Sequence, residues 1–229
     1  MEKFNHIELN NEVTKRGDNG FFKLEKDIEA IEEFLREVDF RTVKFSSEMK
    51  RLRYLVEENF YYNIFDKYIE DEILECLELA ANFKFEFKSY MAASKFYKDY
   101  ALKTNDKKKY LENFNQHVFI VAMYLADGDV ALAKELMISM LEQRLQPATP
   151  TFLNSGRSRR GELVSCFLLE VGDSLNSINY IDSTAKQLSK IGGGVAINLS
   201  KLRARGESIK GIKGVAKGVI PVAKSLEQG

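Results

Sequence analysis

Gln146–Glu170 reads QPATPTFLNSGRSRRGELVSCFLLE, and here one kind of chain gives way to another. The stretch holds two of the three prolines, one of the two cysteines and a basic cluster of Arg157, Arg159 and Arg160. Before residue 151 lie 23 of the 26 aromatic residues, whereas 11 of the 14 glycines fall from Gly156 onward. Two architectures are therefore joined near Pro147.

After that junction the apolar residues come in short runs. LVSCFLLEV, Leu163–Val171, is too short and too uniformly apolar for a surface helix and predicts a buried strand with Cys166 inside it. Val195–Leu199 and Val219–Val222 are two further runs. Between the first two, Leu175, Ile178, Ile181, Ala185 and Leu188 recur at helical spacing, with Asp173 or Ser174 as the N-cap. Strand, helix, strand is the beginning of an α/β layer. Gly192-Gly193-Gly194 precedes a strand rather than joining strand to helix, so it is no dinucleotide fingerprint. It also lacks the Gly-Lys-Ser/Thr of a P-loop, though its amides could approach an anion closely. The glycines and basic residues from Arg203 to Gly218 suit a phosphate, or simply a flexible surface loop.

The chain before the junction reads as helical. Residues 1–20 form a polar arm ending in the turn-like RGDNG. Apolar spacing predicts helices over Lys23–Val38, at the end of Thr42–Asn59, over Phe60–Phe83 as one long stripe, and over Met91–Leu102. FKFEFKSY, between the last two, alternates as a strand does. Tyr110–Ala126 and Asp129–Arg144 make a helical hairpin about Asp127-Gly128. The organisation expected is an arm at 1–20, a helical domain at 21–145 and an α/β segment at 146–229. Cys76 reads as a small buried hydrophobe, and His6 and His117 as structural histidines without the companions a metal site needs.

Composition narrows the function classes. The 229 residues carry 34 basic and 34 acidic side chains, so no overall field draws the chain to nucleic acid or to an anionic membrane. No apolar run approaches the roughly 18 residues of a membrane span, and there is no signal peptide, which points to the cytoplasm. Two cysteines, Cys76 and Cys166, make no disulfide scaffold.

The residues also carry a family likeness. QPATPTFLNSGRSRRGELVSCFLLEVGDSLNSI, continued by QLSKIGGGVAINLSKLRARGESIKG and GVAKGVIPV, closely resembles the large catalytic subunit of class I ribonucleotide reductases. It is most like the class Ib type, whose short N-terminus lacks the full ATP-cone, and YLENFNQHVFIVAMYLADGDVALAKELMISML is similar to that family's helical domain. The resemblance implies an α+β protein: a mostly helical domain, then the first strands and helices of a ten-stranded α/β barrel. It implies the reduction of ribonucleoside diphosphates to deoxyribonucleotides by radical chemistry.

Under that resemblance Cys166 matches the first-strand cysteine of the redox pair. Thr149 and Ser165 match substrate contacts, Thr149 near the phosphate, and Gly193 and Gly194 the backbone lining the same pocket. Asp173 and Ser174, with Arg203, Ile209 and Lys210 of the first effector loop, match the specificity site. No metal ligand and no covalent cofactor is implied in this chain. Expected are a (d)NTP effector with Mg2+, a di-metal radical cofactor in a separate small subunit, a thioredoxin- or glutaredoxin-like reductant, and a homodimer of the completed subunit. The radical-bearing cysteine, the second redox cysteine and the second effector loop have no counterpart in these residues. The chain by itself is therefore expected to be inactive, being a truncated piece or the first part of a naturally split subunit. The alternative is a non-catalytic nucleotide-binding, regulatory or assembly fragment.

Overall fold

The computed structural model describes residues 4–159 and 161–228. Arg160, the third member of the basic cluster, lies outside the described residues, as does Gly229. The chain divides into two compact units, Met1–Arg160 and Gly161–Gly229.

The first unit is helical. Its elements are α1 (His6–Glu12), α2 (Glu25–Phe40), α3 (Glu48–Glu57), α4 (Glu70–Asn82), α5 (Tyr90–Lys95), α6 (Phe114–Ala126), α7 (Val130–Leu141) and α8 (Thr149–Asn154). The polar arm is not loose. His6 is buried, with Nδ1 2.8 Å from the Tyr90 hydroxyl and Nε2 2.8 Å from Glu37 Oε2, which pins α1 onto α2.

Helix α6 is the axis of this unit: Val118 to Met123 are all inaccessible to solvent, so this stretch of the helix is apolar and buried on every side. Asn113 caps its start, accepting from Gln116 N at 3.0 Å while Gln116 Oε1 accepts from Asn113 N at 2.8 Å. At its end Asp127 takes a left-handed φ of 46°, and Tyr68 ties the corner by donating to Met123 O and accepting from Gly128 N, both at 2.8 Å. The hairpin with α7 forms as the spacing predicts.

Two expectations fail here. Phe60–Phe83 is not one helix: a 3-10 turn at Ile64–Asp66 is followed by extended backbone at Ile69, and α4 begins at Glu70. Tyr68 turns inward to hold the α6 corner, and Glu72 accepts from Ile69 N at 3.1 Å, with three acidic residues in the first turn of α4. FKFEFKSY makes no strand. Phe85 instead stacks on Phe114 with ring centroids 3.9 Å apart, so its alternation serves ring packing rather than sheet pairing. Met91–Leu102 is helical as expected, though α5 passes into a π turn at Phe96–Tyr100.

The centre of the unit is charged. Glu112 is buried, and its carboxylate accepts from Arg157 Nη2 at 2.5 Å, Leu102 N at 2.7 Å and the Tyr61 hydroxyl, with His117 Nδ1 3.0 Å away. His117 Nε2 donates to Phe152 O at 2.8 Å, which ties α6 to α8. Arg157 arrives there because residues 156–158 run antiparallel to 60–62, with Tyr62 N donating to Gly156 O at 3.1 Å and Ser158 N to Phe60 O at 3.0 Å. Gly156 makes this approach possible: a Cβ at that position would lie 2.7 Å from Ile120 Cγ1, and its φ is 75°.

The second unit is α/β. Strands β1 (Cys166–Glu170) and β2 (Gly194–Asn198) pair in parallel, in register Cys166 to Gly194 through Glu170 to Asn198, and α9 (Leu175–Lys190) crosses between them. Ser174, not Asp173, is the N-cap, accepting from Ser177 N at 3.2 Å. The run Val219–Val222 is the start of helix α10 (Val219–Glu227) rather than a strand.

Burial would push the Glu112 carboxyl up, but the charges of Arg157 and His117 and hydrogen bonds from His117 and Tyr61 outweigh it and hold the group well below the carboxylate range. A depressed folded value adds stability above the ordinary value of 4.5 and loses it as pH falls. Glu112→Gln should cost about 3–5 kcal/mol, since it leaves Arg157 buried without its counter-charge. Urea unfolding followed from about pH 7 down to about pH 3 should show a smaller loss of stability in the variant than in the wild type. An unchanged midpoint at neutral pH would contradict the role given to Glu112.

Candidate functional site

The residues singled out from the sequence fall into three groups. Thr149 lies in the first unit, at the start of α8, where its Oγ1 is 3.2 Å from the Tyr100 hydroxyl. Arg157, in the same basic cluster, is largely committed to the interior: it is buried, with Nη2 donating to Glu112 and to Tyr100 O at 2.9 Å. Its place in a basic cluster does not by itself make it a ligand contact, because a paired interior cation is held by its partner.

Within the second unit, Ser165, Cys166, Gly193 and Gly194 come together at the start of the sheet. Ser165 O accepts from Gly194 N at 2.7 Å, and Ser165 Oγ is 4.0 Å from Cys166 Sγ. The expected buried strand is corrected here. Phe167 and Leu169, with Val195 and Ile197, form a half-buried face, while Cys166, Leu168 and Glu170 point the other way and are exposed, Leu168 at 84%. A nine-residue apolar run conceals two faces of different fate, and only the alternation of a strand separates them. Gly194 stands opposite Cys166, so the nearest cross-strand position carries no Cβ beside the thiol.

Gly193 has a different task. A Cβ there would lie 2.2 Å from Phe167 Cε2 and 3.1 Å from Leu188 O. Only glycine lets the end of α9, the Phe167 ring and the start of β2 meet at this point. The contiguous glycines are therefore divided between packing and exposure of the sheet's open face.

The third group surrounds the loop after β2. Asp173 sits between β1 and α9, and its Oδ2 accepts from Arg203 Nε at 2.8 Å. Arg203 Nη1 also donates to Ser208 O at 2.8 Å. Ser174 is occupied in capping α9. Ile209 and Ile212 exchange both backbone hydrogen bonds at 3.0 Å, closing a two-residue turn in which Lys210 adopts a φ of 49°. Gly206 N to Ala216 O at 3.0 Å and Ala216 N to Glu207 O at 3.2 Å continue the ladder, so the basic segment is an ordered excursion with Lys210 at its tip. The acid and the basic loop, thirty residues apart in sequence, thus share one ion pair. Helix spacing and turn signals do not disclose that pair. Glu112, Tyr61 and Tyr100 carry no sequence signal beyond a carboxylate five residues before a histidine.

These features coincide with the known domains of one enzyme family. Models for the ribonucleotide reductase N-terminal domain, the all-alpha domain and the barrel domain match residues 6–85, 86–160 and 164–229. The chain belongs to the ribonucleotide reductase family. It is 51% identical over 225 residues to the ribonucleoside-diphosphate reductase NrdEB subunit alpha of Bacillus subtilis, covering 97% of this chain and 21% of that protein. It is 51% identical over 223 residues to a second subunit alpha of Bacillus subtilis, covering 96% of this chain and 32% of that one. A subunit alpha of Mycoplasma pneumoniae is 41% identical over 224 residues, covering 97% and 30%. The chain therefore spans about a fifth to a third of the length of the curated relatives it matches. The mostly helical first unit and the βαβ start of a barrel agree with the fold the resemblance implies. No helix among the described residues is long and apolar enough to cross a membrane.

Gly193→Ala should destabilise the second unit by about 1–3 kcal/mol, since an overpacked Cβ must displace either Phe167 or α9. Amide exchange at Gly194 and Val195 should accelerate, and adding Phe167→Leu should restore part of the protection. Wild-type exchange in Gly193→Ala alone would exclude the clash.

Proposed function

We propose that this chain supplies the N-terminal part of a ribonucleotide reductase catalytic subunit that reduces ribonucleoside diphosphates at the 2′ position. The observation that carries the reading is the placement of Cys166: fixed on a hydrogen-bonded strand, exposed, and opposite a residue without a side chain. Reduction exchanges a C–OH for a C–H and releases water, consuming two electrons and two protons. Two thiols supply them and become a disulfide. Cys166 is one of the two, and the other comes from the remainder of the subunit. A dithiol protein of the thioredoxin or glutaredoxin class then restores both thiols, in the cytoplasm where such reductants reside.

The other positions follow from the same reading. Ser165 and the amides near Gly193 and Gly194 hold the substrate beside the thiol, and Thr149 takes its phosphate. The remainder of the barrel packs on the face of Leu168 and Ala196. Asp173 accepts from a ribose hydroxyl of a (d)NTP effector, while Arg203 and the turn at Ile209 and Lys210 meet its phosphates, to which Mg2+ would be bound. The radical arises in a separate small subunit with a di-metal cofactor, and the completed subunit is a homodimer. Residues 1–229 alone do not turn over, because one thiol cannot complete the two-electron step.

A second reading, a nucleotide-binding regulatory fragment, is favoured by the Asp173–Arg203 pair and its ordered loop, which lie together in one unit. Both readings are open to measurement. Mixed with the remainder of the subunit, the small subunit, a dithiol and an effector, the wild-type chain should support repeated turnover and Cys166→Ser should not. Equal activity of the two would overturn the role of Cys166. In calorimetry with dTTP, Asp173→Asn should weaken binding by about tenfold, or about 1.4 kcal/mol. Effector binding without any turnover in the mixture would favour the regulatory fragment.

A further inference from the structure

An open cavity of about 490 Å³ lies in the first unit. Its wall is unusual in a chain with 34 charges of each sign: Lys98, Lys103, Lys107, Arg157 and Arg159 line it, against a single carboxylate, Asp99. Asp99 is already paired with Lys95 at 2.5 Å, and Arg157 with Glu112. Among the described residues Lys98, Lys107 and Arg159 form no ion pair, so three cations face one hollow without counter-charge.

Two further observations point the same way. Arg157 is more than nine-tenths buried, lines the cavity, and its Nε has no hydrogen-bond partner. Such an atom is costly to leave unsatisfied. Lys103 is held below its ordinary value by burial and by the neighbouring charge of Arg41, while its Nζ donates to Lys98 O at 2.7 Å. Like charges are crowded here, relieved only in part by Asp99, and an anion would relieve them further. The wall also has apolar parts, in Phe60, Tyr100 and Leu153, beside the π turn at Phe96–Tyr100. Single π turns inside helices recur at functional sites.

We propose that this cavity binds a phosphate-bearing small molecule, its phosphate against Lys98, Lys107 and Arg159 and any ring against the Tyr100 side. The inference uses none of the residues assigned to substrate or effector, although Tyr100 also touches Thr149.

Amide spectra of the whole chain, titrated separately with inorganic pyrophosphate and with uridine monophosphate, test it. Resonances of Ala101, Leu102, Thr104 and Asn105 should move along a saturable curve. The exposed-cation variant Lys98→Gln/Lys107→Gln/Arg159→Gln, which leaves the Glu112 cluster intact, should weaken that response about tenfold or more. Lys84→Gln/Lys88→Gln, on another surface of the same unit, should not. Tighter binding of the nucleotide would identify a ligand with a ring, and equal or tighter binding of pyrophosphate an inorganic one. Shifts confined to residues 203–217, no shifts at all, or an unaltered response in the triple variant would each overturn the proposal.

Discussion

One buried carboxylate organises the first unit. Glu112 is reached by groups from four separate parts of the chain: Tyr61 before α4, Leu102 after the π turn, His117 on α6 and Arg157 beyond α8. An ionised group in an apolar interior is tolerable only when its acceptor capacity is filled. That requirement fixes where each segment can lie. The chain after α8 must return to residues 60–62, because Arg157 has to reach the centre, and Gly156 must be small because that return path presses on Ile120. Apolar packing alone would permit several arrangements of these helices; a satisfied charge cluster permits far fewer.

Much of this architecture was legible in the residues, and the exceptions share a cause. The α6–α7 hairpin, the βαβ unit and the α9 cap are local: apolar spacing, Asp127-Gly128 and Ser174 are enough to place them. What could not be read depends on partners distant in sequence. The break before α4 exists because Tyr68 binds an α6 carbonyl 55 residues on, and FKFEFKSY stays out of any sheet because Phe114 receives its ring. Glu112 meets Arg157 across 45 residues, a pairing that no window of sequence contains.

The candidate site divides in the same way. The family likeness names Cys166, Asp173 and Arg203, but says nothing of how they are held. The structure supplies the physical terms: an exposed thiol on one face of a two-faced strand, and an acid neutralised by the first arginine of the loop that follows β2. Arg157 is the reverse case. Its neighbourhood of threonine, proline and arginine suggests an anion site, whereas its burial makes it part of the framework.

The parallel register of β1 and β2 has a consequence for how this segment can vary in length. Side chains alternate between faces with a period of two, so one residue added or removed in the crossover would move β2 by a single step and exchange its faces. Val195 or Gly193 would then stand across from Cys166, and the close contact now made at Phe167 would fall on Gly194 or Gly192. The sixteen residues of α9 thus act as a spacer whose length is more tightly constrained than the identity of its outward-facing residues. Substitutions along its solvent side are mild changes, while an insertion of one is a change of chemistry at the thiol.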